Sequence, residues 1–223
     1  MKILIAIPTY NNEFTISLVI HKVLTTGFDI LVINDGSTDK TFDELNKFSK
    51  INIISIPKNY GKGNALREAF KWAIKNDYTH LISIDADGQH DPAEIPKFIK
   101  QIKDDEDCLI IGSRDFSTAK IPFASRLGRK CSNLAFRLVT GISLFDTQSG
   151  FRVYPLRLLT QLSNKDRYDF EMDMLLNAVF LRIQIKEIKI SSHYSQTTKK
   201  SSHFKPISDS IKIVKALVYS LFS

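Results

Sequence analysis

Ile82-Ser83-Ile84-Asp85-Ala86-Asp87-Gly88-Gln89-His90-Asp91-Pro92 is the stretch around which the chain organises. An apolar run ends abruptly in two carboxylates separated by one residue. An amide, an imidazole and a third carboxylate follow. Side chains alternate along an extended backbone, so Asp85 and Asp87 share one side of it. Two hard oxygen donors at a strand's end suit a divalent cation such as Mg or Mn, which keeps positions open for phosphate oxygens. The same residues also make an ordinary strand-to-helix turn with Asp91 as N-cap. The surrounding chain has to separate the two readings.

Upstream, continuous apolar runs at 2–7, 29–34 and 51–56 read as strands buried on both faces. Between them, residues 13–24, 40–48 and 64–75 read as helices; Ile16, Val19, Ile20, Val23 and Leu24 fall on one face of the first. Residues 80–84 form the fourth strand. This alternation predicts an α/β fold with a mostly parallel sheet flanked by helices on both faces. Ligands of such sheets sit beyond the carboxyl ends of the strands. The polar clusters at Thr9–Asn12, Asp35–Asp39 and Asp85–Asp91 all follow strand ends and converge on one rim. Independent capping residues explain each cluster but not their common placement.

Downstream, 93–103 reads as a helix and 108–112 as a strand ending in Ser113-Arg114-Asp115. A loop follows over 115–124. Residues 125–140 read as a helix bearing Arg126, Arg129, Lys130 and Arg137. A polar loop, 146–152, enters a strand at 151–154. Helices at 156–162 and 169–181 and an alternating strand at 183–190 complete the domain. Residues 191–206 are polar and basic, and 207–222 carry Ile207, Ile211, Val214, Val218 and Leu221 at helical spacing. That pattern fits a membrane-surface helix, or one packed on the domain or on a partner. The expected organisation is one compact domain over 1–190, then a basic loop and an amphipathic helix over 191–223.

The formal charge is +7, from 31 basic and 24 acidic residues, which favours anionic partners. The aromatic and glycine pattern of an RNA-binding sheet and paired-cysteine finger spacing are both missing, which argues against nucleic acid. Cys108 and Cys131 form no CxxC pair, so a zinc site or disulfide framework is not expected and a reducing cytoplasm is. The N-terminal apolar run ends at Pro8-Thr9-Tyr10 without a cleavage site. No run approaches the roughly 18 apolar residues needed to span a bilayer. A nicotinamide dehydrogenase is excluded because Pro-Thr-Tyr-Asn, not Gly-x-Gly-x-x-Gly, follows the first strand.

Ile7-Pro8-Thr9-Tyr10-Asn11-Asn12, Ile33-Asn34-Asp35-Gly36-Ser37-Thr38-Asp39, Asn59-Tyr60-Gly61-Lys62-Gly63-Asn64-Ala65-Leu66 and Asp85-Ala86-Asp87-Gly88-Gln89-His90-Asp91-Pro92 resemble, in order and spacing, glycosyltransferase family 2. Gly112-Ser113-Arg114 and Asp146-Thr147-Gln148-Ser149-Gly150-Phe151-Arg152 extend the likeness, especially to polyprenyl-phosphate (dolichyl-phosphate) sugar synthases. Tyr168-Asp169-Phe170-Glu171-Met172-Asp173 resembles a late acidic element of bacterial relatives. The likeness spans roughly residues 3–190.

The resemblance implies a single GT-A domain with its nucleotide-sugar site at the strand ends. Pro8, Thr9, Tyr10 and Asn12 line the base and ribose pocket, and Asp35 accepts from the nucleobase. Gly61 and Lys62 lie beside the phosphates, as do Asp85, Ala86 and Asp87. Asp85, Asp87 and Gln89 manage a Mg or Mn ion, and His90 orients the turn. Gly88, where relatives often have Leu, is expected to loosen that turn. On the acceptor side a lipid phosphate is already an anionic nucleophile and needs cations; Arg114, Arg126 and Arg129 supply them, with Ser149 nearby. A hydroxyl acceptor needs a general base, for which Asp146, Glu171 and Asp173 are candidates.

The implied activity is metal-dependent, inverting transfer of a sugar from a nucleotide-diphosphate sugar to a polyprenyl phosphate, with Asp87, Arg114 and Asp146 as catalytic candidates. The expected location is cytoplasmic, peripheral to the cytoplasmic face of the membrane, because the transmembrane helices of integral members are missing. The alternatives are a saccharide acceptor in envelope polysaccharide or glycolipid synthesis, and a non-catalytic nucleotide-binding scaffold.

Overall fold

The computed structural model describes residues 1–114, 123–158 and 170–191. The loop expected at 115–124 lies almost wholly outside the described residues. So do most of the 156–162 helix, Tyr168, Asp169 and the tail from 192 onward.

The described chain runs β1 (Ile3–Thr9), α1 (Ile16–Leu24), β2 (Asp29–Asp35), α2 (Thr41–Leu45), β3 (Asn52–Ile56), α3 (Lys62–Lys75) and β4 (His80–Ser83). It continues with a 3-10 turn (Pro92–Glu94), α4 (Ile95–Asp104), β5 (Leu109–Arg114), α5 (Phe123–Thr140) and β6 (Arg152–Pro155). A second 3-10 turn (Leu156–Leu158), α6 (Phe170–Phe180) and β7 (Ile185–Ile190) follow.

All seven residues of β1 are buried, because both faces of the sheet are covered. Its period-two alternation divides them. Leu4 and Ala6 join a core with Leu66, Phe70, Phe136 and Leu175 from α3, α5 and α6. Ile3, Ile5 and Ile7 join a second core with Ile16, Ile20, Phe98 and Ile102 from α1 and α4. The result is three layers, helix–sheet–helix. Each buried Leu, Ile or Phe contributes about 1.5–3 kcal/mol of apolar transfer.

Strand order is β3-β2-β1-β4-β6-β5-β7. Every pairing is parallel except those of β6, which runs antiparallel to both β4 and β5. The reversal has a local cause. The loop before β6 lies at the strand-end rim, where Ser83 donates to the Gly150 carbonyl (2.7 Å) and Gly112 N–H to that of Phe151 (2.8 Å). Starting from the rim, β6 can only run away from it.

Two local expectations change. The helix expected from residue 93 divides into the 3-10 turn, capped by Asp91 accepting from Ala93 N–H (3.2 Å), and α4. Gly88 adopts φ +74°, a left-handed conformation that glycine enters without penalty. It therefore forms the turn that leads from Asp87 to Gln89 and does not loosen it. Among the described residues no helix is long and apolar enough to cross a membrane.

Candidate functional site

The strand-end clusters do meet. Thr9 Oγ1 and Tyr10 N–H both donate to Asn12 Oδ1 (3.0 and 3.2 Å), which fixes the turn after β1. Asn11 N–H donates to Ser37 Oγ (3.0 Å) and Thr38 N–H to Asn11 Oδ1 (2.8 Å), joining that turn to the one after β2. Thr15 Oγ1 donates to the Ala86 carbonyl (2.7 Å), joining it to the Asp-x-Asp turn. Pro8, Thr9, Asn12 and Asp35 are buried at this junction, with Tyr10 half-buried.

Asp35 has a second task. Its carboxylate accepts from Tyr60 N–H (3.1 Å) and Gly61 N–H (2.8 Å), so it fastens the glycine loop that opens α3. Burial raises its pKa above the ordinary Asp value, and those two N–H groups oppose the rise.

Lys62, on the first turn of α3, ion-pairs with Asp85 and with Glu171 of α6 (2.7 Å to Glu171). Burial alone would lower the Lys62 pKa, but the Asp85 and Glu171 carboxylates outweigh it and hold the ammonium above the ordinary lysine range. Burial would raise Asp85; Lys62, and then His90, whose Nε2 lies 3.5 Å from Asp85 Oδ2, hold it far below the carboxylate range instead. Among the described residues Asp87 forms no such ion pair, and His90 and Lys62 act on it less strongly than burial and Asp85 do. Burial, and then the neighbouring Asp85 charge, push it up to about 6. Its Oδ1 accepts from Gln89 N–H (2.9 Å), and Gln89 is itself buried.

Gly150 completes this wall. A Cβ there would collide with both Asp85 oxygens and with Lys62 Nζ. Gly150→Ala should therefore displace Asp85, lowering donor-dependent turnover about tenfold or more, since small misplacements of reacting groups carry large rate costs. Steady-state rates at saturating donor check this; unchanged rates would show that the close approach is immaterial.

The donor set tests whether a hard cation fits here. Asp87 and Gln89 offer a carboxylate and an amide oxygen beside Asp85, all hard ligands, and Asp87 carries a charge that nothing yet offsets as fully as Lys62 offsets that of Asp85. These residues fit Mg or Mn. Among the described residues no cluster of three His, Cys, Asp or Glu ligands stands preassembled.

On the other flank of the rim, Arg114 and Asp146 form one unit. Arg114 Nε donates to Asp146 Oδ2 (2.6 Å) and Nη2 to Oδ1 (2.9 Å), a bidentate pair with Asp146 fully buried. Burial would raise Asp146, yet the Arg114 guanidinium holds it below the ordinary Asp value. Glu187 of β7 accepts from Phe145 N–H and Asp146 N–H (2.9 and 3.1 Å). Asn133 of α5 accepts from Thr147 N–H (3.1 Å) and donates to the Phe145 carbonyl (2.7 Å), which also accepts from Arg129 Nη1 (3.1 Å).

The sequence reading misses Glu187, although one signal points to it: Glu187 shares the strand parity of Ile183 and Ile185 and interrupts their apolar face. Ser149, expected on the acceptor side, is fully buried, and its Oγ accepts from Phe151 N–H (3.4 Å) in the turn before β6. Arg126 is solvent-exposed on α5.

Arg152 is the hub beneath both flanks. It is fully buried and donates to the carbonyls of Ser149 (2.7 Å), Glu171 (2.6 Å) and Thr147 (2.7 Å). Arg152→Met strips two buried carbonyls and the half-buried Glu171 carbonyl of a donor, at about 1–3 kcal/mol for each buried one before relaxation. A clear fall in the urea midpoint is expected, and an unchanged midpoint would show that water or neighbouring groups substitute.

A parallel sheet interrupted by one reversed strand, with its acidic turn at the strand ends, defines a GT-A domain. The family described as "Glycosyl transferase family 2" matches residues 4–162, and the chain belongs to that family. An uncharacterized protein of Methanocaldococcus jannaschii is 31% identical over 216 residues, covering 87% of this chain and 92% of its own. The undecaprenyl-phosphate mannosyltransferase of Micrococcus luteus is 26% identical, covering 86% and 83%. The crystal structure of S. aureus TarS 1-349 superposes with a TM-score of 0.63 at 17% identity over 98% of this chain, which spans 65% of that one. The protein is a family 2 glycosyltransferase.

Proposed function

We propose that the protein transfers a sugar, with inversion, from a nucleotide-diphosphate sugar to a polyprenyl-type lipid phosphate at a membrane surface. The observation that carries this reading is the Arg114–Asp146 pair. A hydroxyl nucleophile needs a base that gains a proton. Asp146 is committed to a guanidinium and held as a weak base. A phosphate nucleophile needs no proton removed; it needs an oriented cation, and Asp146 fixes the plane of one. The likeness to a protein named as an undecaprenyl-phosphate mannosyltransferase supports the same acceptor class.

In this reading the turns after β1 and β2 hold the nucleoside, with Asp35 setting both the base pocket and the glycine loop. Asp87 and Gln89, beside Asp85, would hold a Mg or Mn ion, whose charge would offset that of the diphosphate. Lys62 keeps Asp85 ionised and in place. The acceptor phosphate oxygen forms a bond to the anomeric carbon from the face opposite the leaving group, as the carbon–oxygen bond to the nucleotide diphosphate breaks. Arg114 holds that phosphate, with Arg129 contributing from α5.

The test is a transfer assay with a panel of nucleotide sugars, a detergent-dispersed polyprenyl phosphate and saccharide acceptors, with and without Mn. Formation of a polyprenyl-phosphate sugar is expected. Transfer to saccharide hydroxyls alone would sink the reading.

A further inference from the structure

β7 is an edge strand of the sheet. Ile185 packs on the core shared with α5 and α6, and Glu187, two residues on, takes the next place on that face. A carboxylate there spends its oxygens on main chain. Both accept from Phe145 N–H (2.9 Å each), and Oε1 also accepts from Asp146 N–H (3.1 Å).

The segment so gripped has little apolar anchorage. Of residues 141–145 only Leu144 is buried, and Phe145 is 73% exposed. Phe145 is nonetheless fixed through its peptide groups. Glu187 takes the N–H, while Arg129 Nη1 and Asn133 Nδ2 donate to the carbonyl (3.1 and 2.7 Å). These bonds leave the Phe145 side chain in solvent and fix the start of the next residue, Asp146.

β5 and β7 run parallel, with Ile111 opposite Glu187 and Arg114 opposite Ile190. The two strands therefore hold Asp146 from two directions: Arg114 takes its carboxylate and Glu187 its main-chain N–H. A carboxylate suits this task because both oxygens accept and neither donates. A glutamine amide has one acceptor oxygen and turns its own N–H groups toward other N–H groups.

We propose that Glu187 is a positioning residue for the acceptor side. It holds the Phe145–Asp146 backbone, which sets the place of the Asp146 carboxylate and so the plane of the Arg114 guanidinium. That the group met by this guanidinium is a phosphate rests on the lipid-phosphate reading. Glu187 acts through Asp146 and Arg114, not on the substrate. The donor rim is held by other bonds, among the turns after β1 and β2, the Asp-x-Asp turn and the glycine loop.

Glu187→Ala and Glu187→Gln, each in the full chain, are compared with wild type. In Glu187→Ala, kcat/KM for detergent-dispersed polyprenyl phosphate should fall about tenfold or more, because small misplacements of reacting groups carry large rate costs. The fall should be smaller in Glu187→Gln, whose amide oxygen still accepts from one N–H. The Kd of UDP or GDP with Mn, whichever wild type binds, should stay within about twofold. Hydrogen exchange at residues 145 and 146 should quicken in Glu187→Ala, while that at 60 and 61, bonded to Asp35, stays as in wild type. An unchanged acceptor kcat/KM in both variants overturns the assignment. So does a matching loss of nucleotide affinity, which marks a role in overall folding only. Where Glu187→Ala does not fold, Glu187→Gln decides: an acceptor kcat/KM lowered about threefold or more at constant nucleotide Kd supports the role, and an unchanged one overturns it. If wild type binds the nucleotide but transfers to a saccharide alone, the lipid-phosphate reading fails, and the same comparison on that saccharide's kcat/KM decides the role of Glu187.

Discussion

Asp87→Asn should lower transfer about a thousandfold or more while leaving the fold intact. The proposed cation loses its carboxylate ligand there, and the developing diphosphate charge loses its counter-charge. Removing one such electrostatic element costs on the order of 4 kcal/mol of barrier. The same substitution should stabilise the protein in chelator at neutral pH. Asp87 is held up at about 6 in the folded state, against 3.8 as its reference. An acid with a raised folded pKa binds its proton more tightly when folded, so it destabilises the fold at neutral pH and ceases to do so as pH falls from 6 toward 4. The variant should therefore melt higher than wild type at pH 7.5, and the gap should close below pH 5. Wild-type turnover in Asp87→Asn would remove Asp87 from the reaction; a gap that is absent at neutral pH would mean that Asp87 is already neutralised in the folded chain.

The second large effect concerns Arg114 and Asp146. Asp146→Asn takes the carboxylate charge away from a mostly buried guanidinium, and breaking such a pair destabilises by about 3–5 kcal/mol. Arg114→Ala takes the guanidinium from the fully buried Asp146 carboxylate, to which the backbone N–H groups of residues 114 and 148 still donate, and should stop transfer to a lipid phosphate. The double variant should be less destabilised than the sum of the singles, because the second removal takes away the stranded charge. The Asp146 pKa is depressed on folding, so its contribution to stability is present above about pH 4 and is lost as pH falls through the folded value. Urea midpoints of the four proteins from pH 7 down to pH 3 measure both claims. Strict additivity would deny that the pair acts as a unit. Loss of transfer in Asp146→Asn with full transfer in Arg114→Ala would restore Asp146 as a base and a hydroxyl as acceptor.

Much of the frame is legible in the chain. The apolar runs of β1, β2 and β4 mark strands covered on both faces, and their polar ends mark the rim. Strand ends move by a residue or two, since Thr9 and Asp35 stay in the ladder although they are polar. The direction of β6 is not legible, because a strand of four residues looks the same read either way. Gly88 is misjudged by comparison with relatives; what decides it is a backbone angle. Ser149 is buried as a turn acceptor, while Gly150 beside it, which carries no chemistry of its own, sets how closely Asp85 and Lys62 approach the wall.

By itself the sequence determined the alternation that builds the sheet, the clustering of Asp35, Asp85 and Asp87 at strand ends, and the presence of cations and carboxylates beyond Arg114. Local periodicity and turn chemistry suffice for these, because they depend on residues near one another in the chain. Only the tertiary structure decided which charges are paired. Lys62 answers Asp85 and Glu171, Arg114 answers Asp146, and Asp87 keeps a pKa raised by burial and by the Asp85 charge. Those partners lie 23, 109 and 32 residues apart in the numbering, and a Coulomb interaction depends on distance through space, which the chain acquires only on folding.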